Sequence, residues 1–412
     1  MKPLSRLAML KKPILHRLFV LPVLALFASP AFAQTLTADD AARLALERPE
    51  ASQLIDAPIG VAEGNLTSAR TWSNPTLSLE REGVEGFAGD GSETFVQLEQ
   101  TFDVSGRRAL NTRGAQADLQ AATLSAISER ARIDAEARRR FYAALADDEA
   151  LTIEKRYRDE LEGLLAATER RQDGGDASRY DVERVRQEYL AADIAVAQAG
   201  ARVFEARQSL FALIGSGDAQ EAALVGALLP DHEPLDLPGV SPAIAALEAE
   251  AEAADWRKRS ASRYTPDVTV GAGFRQIEGP FDETGLLLSF SVPLPLFDRN
   301  QGEYRARAAE ASAAEARLRL AEDQVAADLA TLQYRLDALR EAATRYDAGA
   351  LASASELRRI ALSAFNGGEI AVFEVIDALG SARDAQRQSL SLKLDARTAA
   401  LAIAERLPET DR

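Results

Sequence analysis

The sequence is a duplication. Asn74-Pro75-Thr76-Leu77-Ser78-Leu79 returns as Thr265-Pro266-Asp267-Val268-Thr269-Val270, Arg113-Gly114-Ala115-Gln116-Ala117 as Arg307-Ala308-Ala309-Glu310-Ala311, and Asp173-Gly174-Gly175-Asp176 as Asn366-Gly367-Gly368-Glu369. The offsets are 191, 194 and 193 residues. Three separate matches at nearly one offset mean that one unit is used twice. That unit reads helix, strand, strand, long helix, tight turn, long helix.

The helices are long. From Arg108 to about Ala167 only Gly114 and Gly163 interrupt the helical pattern, enough for roughly 90 Å of helix. Beyond the first turn, Val182, Val185, Tyr189, Ala192, Val196, Ala199, Val203, Ala206, Leu210 and Leu213 alternate three and four apart. This is a coiled-coil seam whose alanines let a neighbouring helix come close. Ala311, Ala314, Leu318, Ala321 and Val325 are expected to repeat it, as are Leu390, Leu394, Leu401 and Ala404. The remaining faces are rich in arginine and carboxylates, which leaves no conventional globular core.

Two strand pairs are expected, Pro75 to Glu82 with Glu93 to Phe102, and Pro266 to Ile277 with Glu283 to Leu294. Val268, Val270, Ala272 and Phe274 alternate with Thr269, Gly271, Gly273 and Arg275, and Leu286, Leu288, Phe290 and Val292 share a face opposite Ser289 and Ser291. Their lengths suit tilted strands crossing a bilayer. Four strands cannot close a barrel, and open edges in lipid leave amides unpaired; three copies would supply twelve. Trp72, Tyr264, Phe281 and Phe297 lie near strand ends, where an interfacial aromatic belt falls. Two soluble hairpins capping a helical bundle would alternate in the same way. Pro293 and Pro295 cannot donate ladder hydrogen bonds and are expected to end the fourth strand.

Residues 1–33 read as an export signal. Lys2, Arg6, Lys11, Lys12 and Arg17 precede the apolar run Leu18 to Phe27 and the small-x-small site Ala31-Phe32-Ala33. A chain from Gln34 holds 43 basic against 64 acidic side chains, formally −21, which argues against nucleic acid as a partner. Both methionines and His16 lie in the signal and the chain has no cysteine. With His232 alone remaining, thiolate or imidazole metal sites and catalytic triads lack their parts. No enzyme, cofactor or resident metal is expected.

A duplicated unit of two strands and a helical hairpin behind a signal peptide resembles the TolC-type outer-membrane efflux family over essentially the whole mature chain. Ser73-Asn74-Pro75-Thr76-Leu77, Thr265 to Phe274, and Val292-Pro293-Leu294-Pro295-Leu296-Phe297-Asp298-Arg299-Asn300-Gln301-Gly302 resemble its CzcC-like branch, which serves heavy-metal cation efflux. The resemblance implies a mainly α fold with membrane β: a homotrimer whose twelve-stranded outer-membrane barrel continues into a periplasmic α-helical barrel. It also implies a periplasmic adaptor and an inner-membrane RND pump as partners, with anchoring resting on the barrel. The expected organisation is signal 1–33, first repeat 34–215, an equatorial linker 216–240, second repeat 241–407 and a tail 408–412. Segment Gly215 to Pro242 reads equally well as a plain linker.

By the same resemblance the turns at Gly174, Gly175, Gly367 and Gly368 are the periplasmic tips, where such channels close and adaptors dock. The family's constriction carboxylates map onto Glu374 and Asp377, three apart and so on one helix face. Asp181 and Arg184 occupy the corresponding first-half positions. In a trimer, rings of carboxylates would concentrate cations, although acidic residues also occur in first helical turns simply to complement the dipole. Arg184 is expected to pair with a carboxylate and lock the closed tip. The expected function is export of divalent heavy-metal cations such as cobalt, zinc or cadmium. Export of drugs through the same channel and a soluble periplasmic scaffold or adaptor stay open beside it.

Overall fold

The computed structural model describes residues 35–86, 89–215, 222–231, 241–278 and 282–408. The signal segment, His232, Phe281 and much of the 216–240 linker lie outside them. Each repeat is a short helical region, a strand hairpin and a long helical hairpin. The first contains α1 (Ala38–Leu46), α2 (Pro49–Arg70), β2 (Thr76–Gly86), β3 (Gly89–Phe102), α3 (Arg107–Gly174) and α4 (Arg179–Ile214). The second contains α5 (Pro242–Ala261), β5 (Val268–Glu278), β6 (Glu283–Ser291), α6 (Gln301–Tyr346), a π turn (Asp347–Leu351), α7 (Ala352–Gly367) and α8 (Val372–Arg406). Two short strands, β1 (Thr35–Leu36) and β4 (Ala223–Leu224), pair in parallel.

Helix α3 has 68 residues, about 100 Å, long enough to pack on α1, α2, α4, α5 and α8 along its length. Its upper part packs on α2 and α5, its lower part on α4 and α8. Burial along the rod is split into three clusters rather than gathered in one core. An equatorial cluster joins Leu36, Ala41, Phe141, Leu145, Leu210, Phe211 and Leu228. A cluster near the turns joins Tyr157, Leu161, Val185, Phe365, Val375 and Leu379. A third joins Leu336, Ala396, Ala399 and Ile403. Alanine supplies many of the buried contacts, so the helices approach closely.

The described part of the 216–240 segment is packed rather than loose. Ala222 and Leu228 enter the equatorial cluster, and Arg397 on α8 donates to the carbonyls of Ala227, Leu228 and Leu229 at 2.6–3.0 Å.

The first-repeat seam forms as its spacing predicts, with Val182, Val185, Ala192, Ala199 and Leu210 buried. The second-repeat seam needs correction. On α6 only Ala311 of the predicted five is buried; on α8 Leu401 is buried as expected, Leu390 and Leu394 are half-buried and Ala404 is exposed. The buried line on α8 runs through Ala382, Ala385, Ser389, Ala396, Ala399 and Ile403, with Leu401 the one expected position among the buried residues. The cause is that α6 packs mainly along α5 and α8, which leaves much of its flank open in a single chain.

The two hairpins join into one antiparallel sheet in the order β2-β3-β5-β6, both outer edges unpaired among the described residues. Strand β6 stops at Ser291, just before Pro293. Register aligns Leu77, Leu98, Ala272 and Leu288 in one row and Leu79, Val96, Phe274 and Leu286 in the next. This face is apolar and open: Leu286 is 80% exposed, Leu288 and Phe290 72%. The apolar rows run from Phe102 beside Val268 to Val96 beside Phe274, about 20 Å along the strands. Alternation puts Glu80, Glu82, Glu93, Glu99 and Glu283 on the other face with a single arginine, Arg275.

Candidate functional site

The long hairpins end in two turns of the same construction. Gly175 sits in the left-handed region at φ +86°, with its N–H donating to Gln172 O at 3.0 Å and the Asp176 N–H to Arg171 O at 2.7 Å. Gly368 repeats this at φ +78°, with Gly368 N–H to Phe365 O at 3.0 Å and Glu369 N–H to Ala364 O at 2.9 Å. These paired bonds satisfy the terminal carbonyls, and glycine is the residue that adopts the conformation without a Cβ penalty. Gly174 and Gly367 are the last helical residues before each turn.

The return helices begin differently. Ser178 caps α4: its hydroxyl accepts from Asp181 N at 3.2 Å, while Asp181 Oδ2 accepts from Ser178 N at 2.9 Å. Helix α8 has Ala371 at that position and keeps only the return half, Ala371 N donating to Glu374 Oε2 at 2.9 Å. The four predicted gate residues therefore lie in the first turns of α4 and α8, but in unequal roles. Asp181 is half-buried and committed to its cap. Arg184 lies 2.7 Å from Glu188 on its own helix, and among the described residues it pairs with no carboxylate on another helix. Glu374 and Asp377 are exposed, facing away from the buried line Val372, Val375, Ile376 and Leu379. Asp377 makes no ion pair among the described residues.

Arginines cross between the hairpins at several levels, among them Arg139 on α3, 2.7 Å from Glu405 on α8, and Arg383 on α8, over the ring of Tyr157 on α3. Arg171 on α3 donates to the Phe365 carbonyl and stands 4.2 Å from the centre of its ring. Arg358 on α7 grips Glu160 on α3, Nε lying 3.0 Å from both oxygens. Arg387 on α8 donates to Glu154 Oε1 on α3 at 2.7 Å. Glu154 is 1% exposed and its Oε2 has no partner. On the other flank of α8, Asp347 accepts from Ser389 Oγ at 2.5 Å and lies 2.7 Å from Lys393 Nζ. Burial pushes the Asp347 carboxyl up, but the lysine and the serine more than offset it and hold it below its ordinary 3.8. Burial also raises the Tyr157 phenol beside these braces. Composition would place Glu154 on a solvated face. The repeat was its only sequence signal, since it lies 193 residues before Asp347.

A cleft of about 700 Å³ opens where sheet meets helices. Its main charges neutralise in pairs, Arg107 with Asp267, Arg257 with Asp118 and Arg307 with Glu303. Among the described residues no cluster of His, Cys, Asp and Glu is arranged to hold a metal, and no helix is long and apolar enough to cross a membrane. On the polar face of the sheet, Gln97 reaches over Gly271 to Ser289 Oγ at 2.5 Å, joining β3 to β6 across β5. Such a wall presents oxygen ligands and net negative charge to one side and hydrocarbon to the other.

Residues 239–407 match the Outer membrane efflux protein family. The chain is 26% identical over 328 residues to the cobalt-zinc-cadmium resistance protein CzcC of Cupriavidus metallidurans, spanning 77% of this chain and 76% of that one. It is 26% identical over 278 residues to the nickel-cobalt-cadmium resistance protein NccC of Alcaligenes xylosoxydans xylosoxydans, spanning 64% and 61%. Among solved structures it superposes on the outer membrane protein VceC of Vibrio cholerae with a TM-score of 0.76 at 18% identity, over 90% of this chain and 95% of that one. It superposes on CusC with a TM-score of 0.71 at 17% identity, over 90% and 91%. Residues 239–407 thus carry an outer membrane efflux protein domain, the sequence is similar to CzcC and NccC, and the fold is that of VceC and CusC.

Proposed function

We propose that three copies of this outer-membrane efflux channel close a twelve-stranded barrel over a periplasmic helical barrel and export divalent heavy-metal cations from periplasm to exterior. In this reading it is the outer component of a tripartite system with an adaptor and an inner-membrane RND pump. The observation that carries the channel reading is the four-stranded sheet, apolar on one face, acidic on the other and unpaired at both edges. Neighbouring copies would satisfy those edges, as lipid requires. The metal assignment draws on the names of the two curated relatives and on a wall of carboxylates and hydroxyls, which attracts divalent ions but holds them more loosely than thiolate or imidazole.

The gate proposal stands on the exposed, unshared carboxylate of Asp377 and on Glu374 one turn before it. In a trimer these six groups would ring the tip and favour cations. Asp181 and Arg184 would serve as structural members beside that ring, and the turns at Gly174–Gly175 and Gly367–Gly368 as the adaptor's contact. Deleting the gene is expected to sensitise cells to zinc, cobalt or cadmium. Sensitivity confined to hydrophobic drugs would sink the metal assignment and leave the channel. In planar bilayers, E374Q/D377N is expected to move the reversal potential in a KCl gradient towards non-selectivity, and an unchanged potential would remove these residues from the gate.

A further inference from the structure

One difference between the two repeats lies part-way along their long helices. Helix α3 is unbroken, whereas its counterpart α6–α7 widens into the π turn Asp347–Leu351, none of whose residues is buried. Wide turns of this kind interrupt the helical ladder, and helices bend at them. The turn lies at a definite level of the rod. Counted back from the glycine turns, Asp347 corresponds to Glu154, and both carboxylates grip α8. Their partners, Ser389 with Lys393 on one side and Arg387 on the other, stand about 200° apart around that helix.

The two grips are unequal. Asp347 has two partners. Glu154 is buried with one, and its second oxygen is unsatisfied, so its desolvation is only partly compensated. Above this level the Leu336, Ala396 and Ile403 cluster ties α6 to α8. Below it, α7 reaches α3 through Arg358–Glu160 and Arg171–Phe365. We infer that Asp347–Leu351 is the hinge on which the α7–α8 end of the hairpin tilts, and that Glu154–Arg387 is the strut that holds it against α3. The inference rests on the tip being a gate.

The mature chain has no cysteine, so spin labels can be placed at will. Two pairs are measured in the detergent-purified protein, diluted with unlabelled chains so that distances are within one protomer. Leu357→Cys with Glu162→Cys lies below the hinge, Leu320→Cys with Thr123→Cys above it. The lower pair is expected to give two distance populations and the upper pair one. Glu154→Gln is expected to enrich the longer lower distance roughly five- to tenfold, the scale of one weakened charged hydrogen bond. Deleting Gly349, which narrows the turn, is expected to abolish it. A single lower distance in both wild type and Glu154→Gln overturns the hinge, as does a longer population that survives the deletion. Glu154→Gln decides alone if the deletion fails to assemble. A protein that shows these distances but conducts nothing would sink the gate reading and leave the hinge.

Discussion

Gly273 carries the tightest steric constraint in the sheet. A Cβ built there would lie 2.1 Å from the Val96 carbonyl oxygen, which is backbone and cannot turn aside. Gly273→Ala is therefore expected to force β5 off β3 at a cost of roughly 2 kcal/mol or more, the scale of overpacking. It should be visible as loss of the assembled form on gels run without heating. Gly285→Ala is the control: its Cβ would meet nothing within 4 Å, and it should stay within about 0.5 kcal/mol of wild type. Asp347 gives a different residue-level test. Its folded pKa lies below the ordinary 3.8, so its grip on α8 is whole above that value and is lost as pH falls through the lower, folded one. The melting difference between wild type and Asp347→Asn is expected to be constant from pH 7 to pH 5 and to shrink only below 3.8. A difference that already shrinks at pH 6 would mean that the carboxylate is not held low.

At the scale of elements, the unequal caps make a reciprocal pair of predictions. Ser178→Ala removes an acceptor that α4 uses, and should cost about 1 kcal/mol. Ala371→Ser supplies one that α8 lacks, beside Glu374 already in place to complete the box, and should gain about as much. Thermal melting of the two variants checks both signs. The same caps mark where the sequence stops being informative. Glycine pairs at a fixed offset announce both turns, because a left-handed residue can be read from residue type, and Pro293 likewise announces the end of β6. Spacing also placed the strands within a few residues, since alternation has a period of two. It could not say that Asp181 is consumed by Ser178 while Asp377 has no ion pair among the described residues, because both are acidic residues in a first turn. Nor does any composition mark the π turn, whose Asp347, Ala348, Gly349, Ala350 and Leu351 would sit in an ordinary helix.

At the scale of the molecule, the sheet forces a choice between two solvents. Its open face presents Leu77, Leu79, Leu98, Phe274, Leu286, Leu288 and Phe290 side by side, a patch that a soluble monomer rarely leaves bare. Trp72, Tyr264 and Phe297 are exposed just beyond the helix-side strand ends, at the level where an interface would fall. Leu288 lies in the middle of the apolar rows, so Leu288→Arg separates the alternatives by sign. If the face meets water, arginine is harmless there and relieves aggregation. If it is the outer wall of a barrel, the same change should cost roughly 2–4 kcal/mol near the bilayer midplane and reduce assembly in the outer membrane. Glu99→Arg on the opposite face changes charge by more yet should leave assembly largely intact, since that face would line a water-filled lumen. Comparing the two variants by membrane fractionation therefore tests the orientation of the wall independently of what is exported. Equal tolerance at both positions would put the sheet in water and return the chain to a periplasmic scaffold.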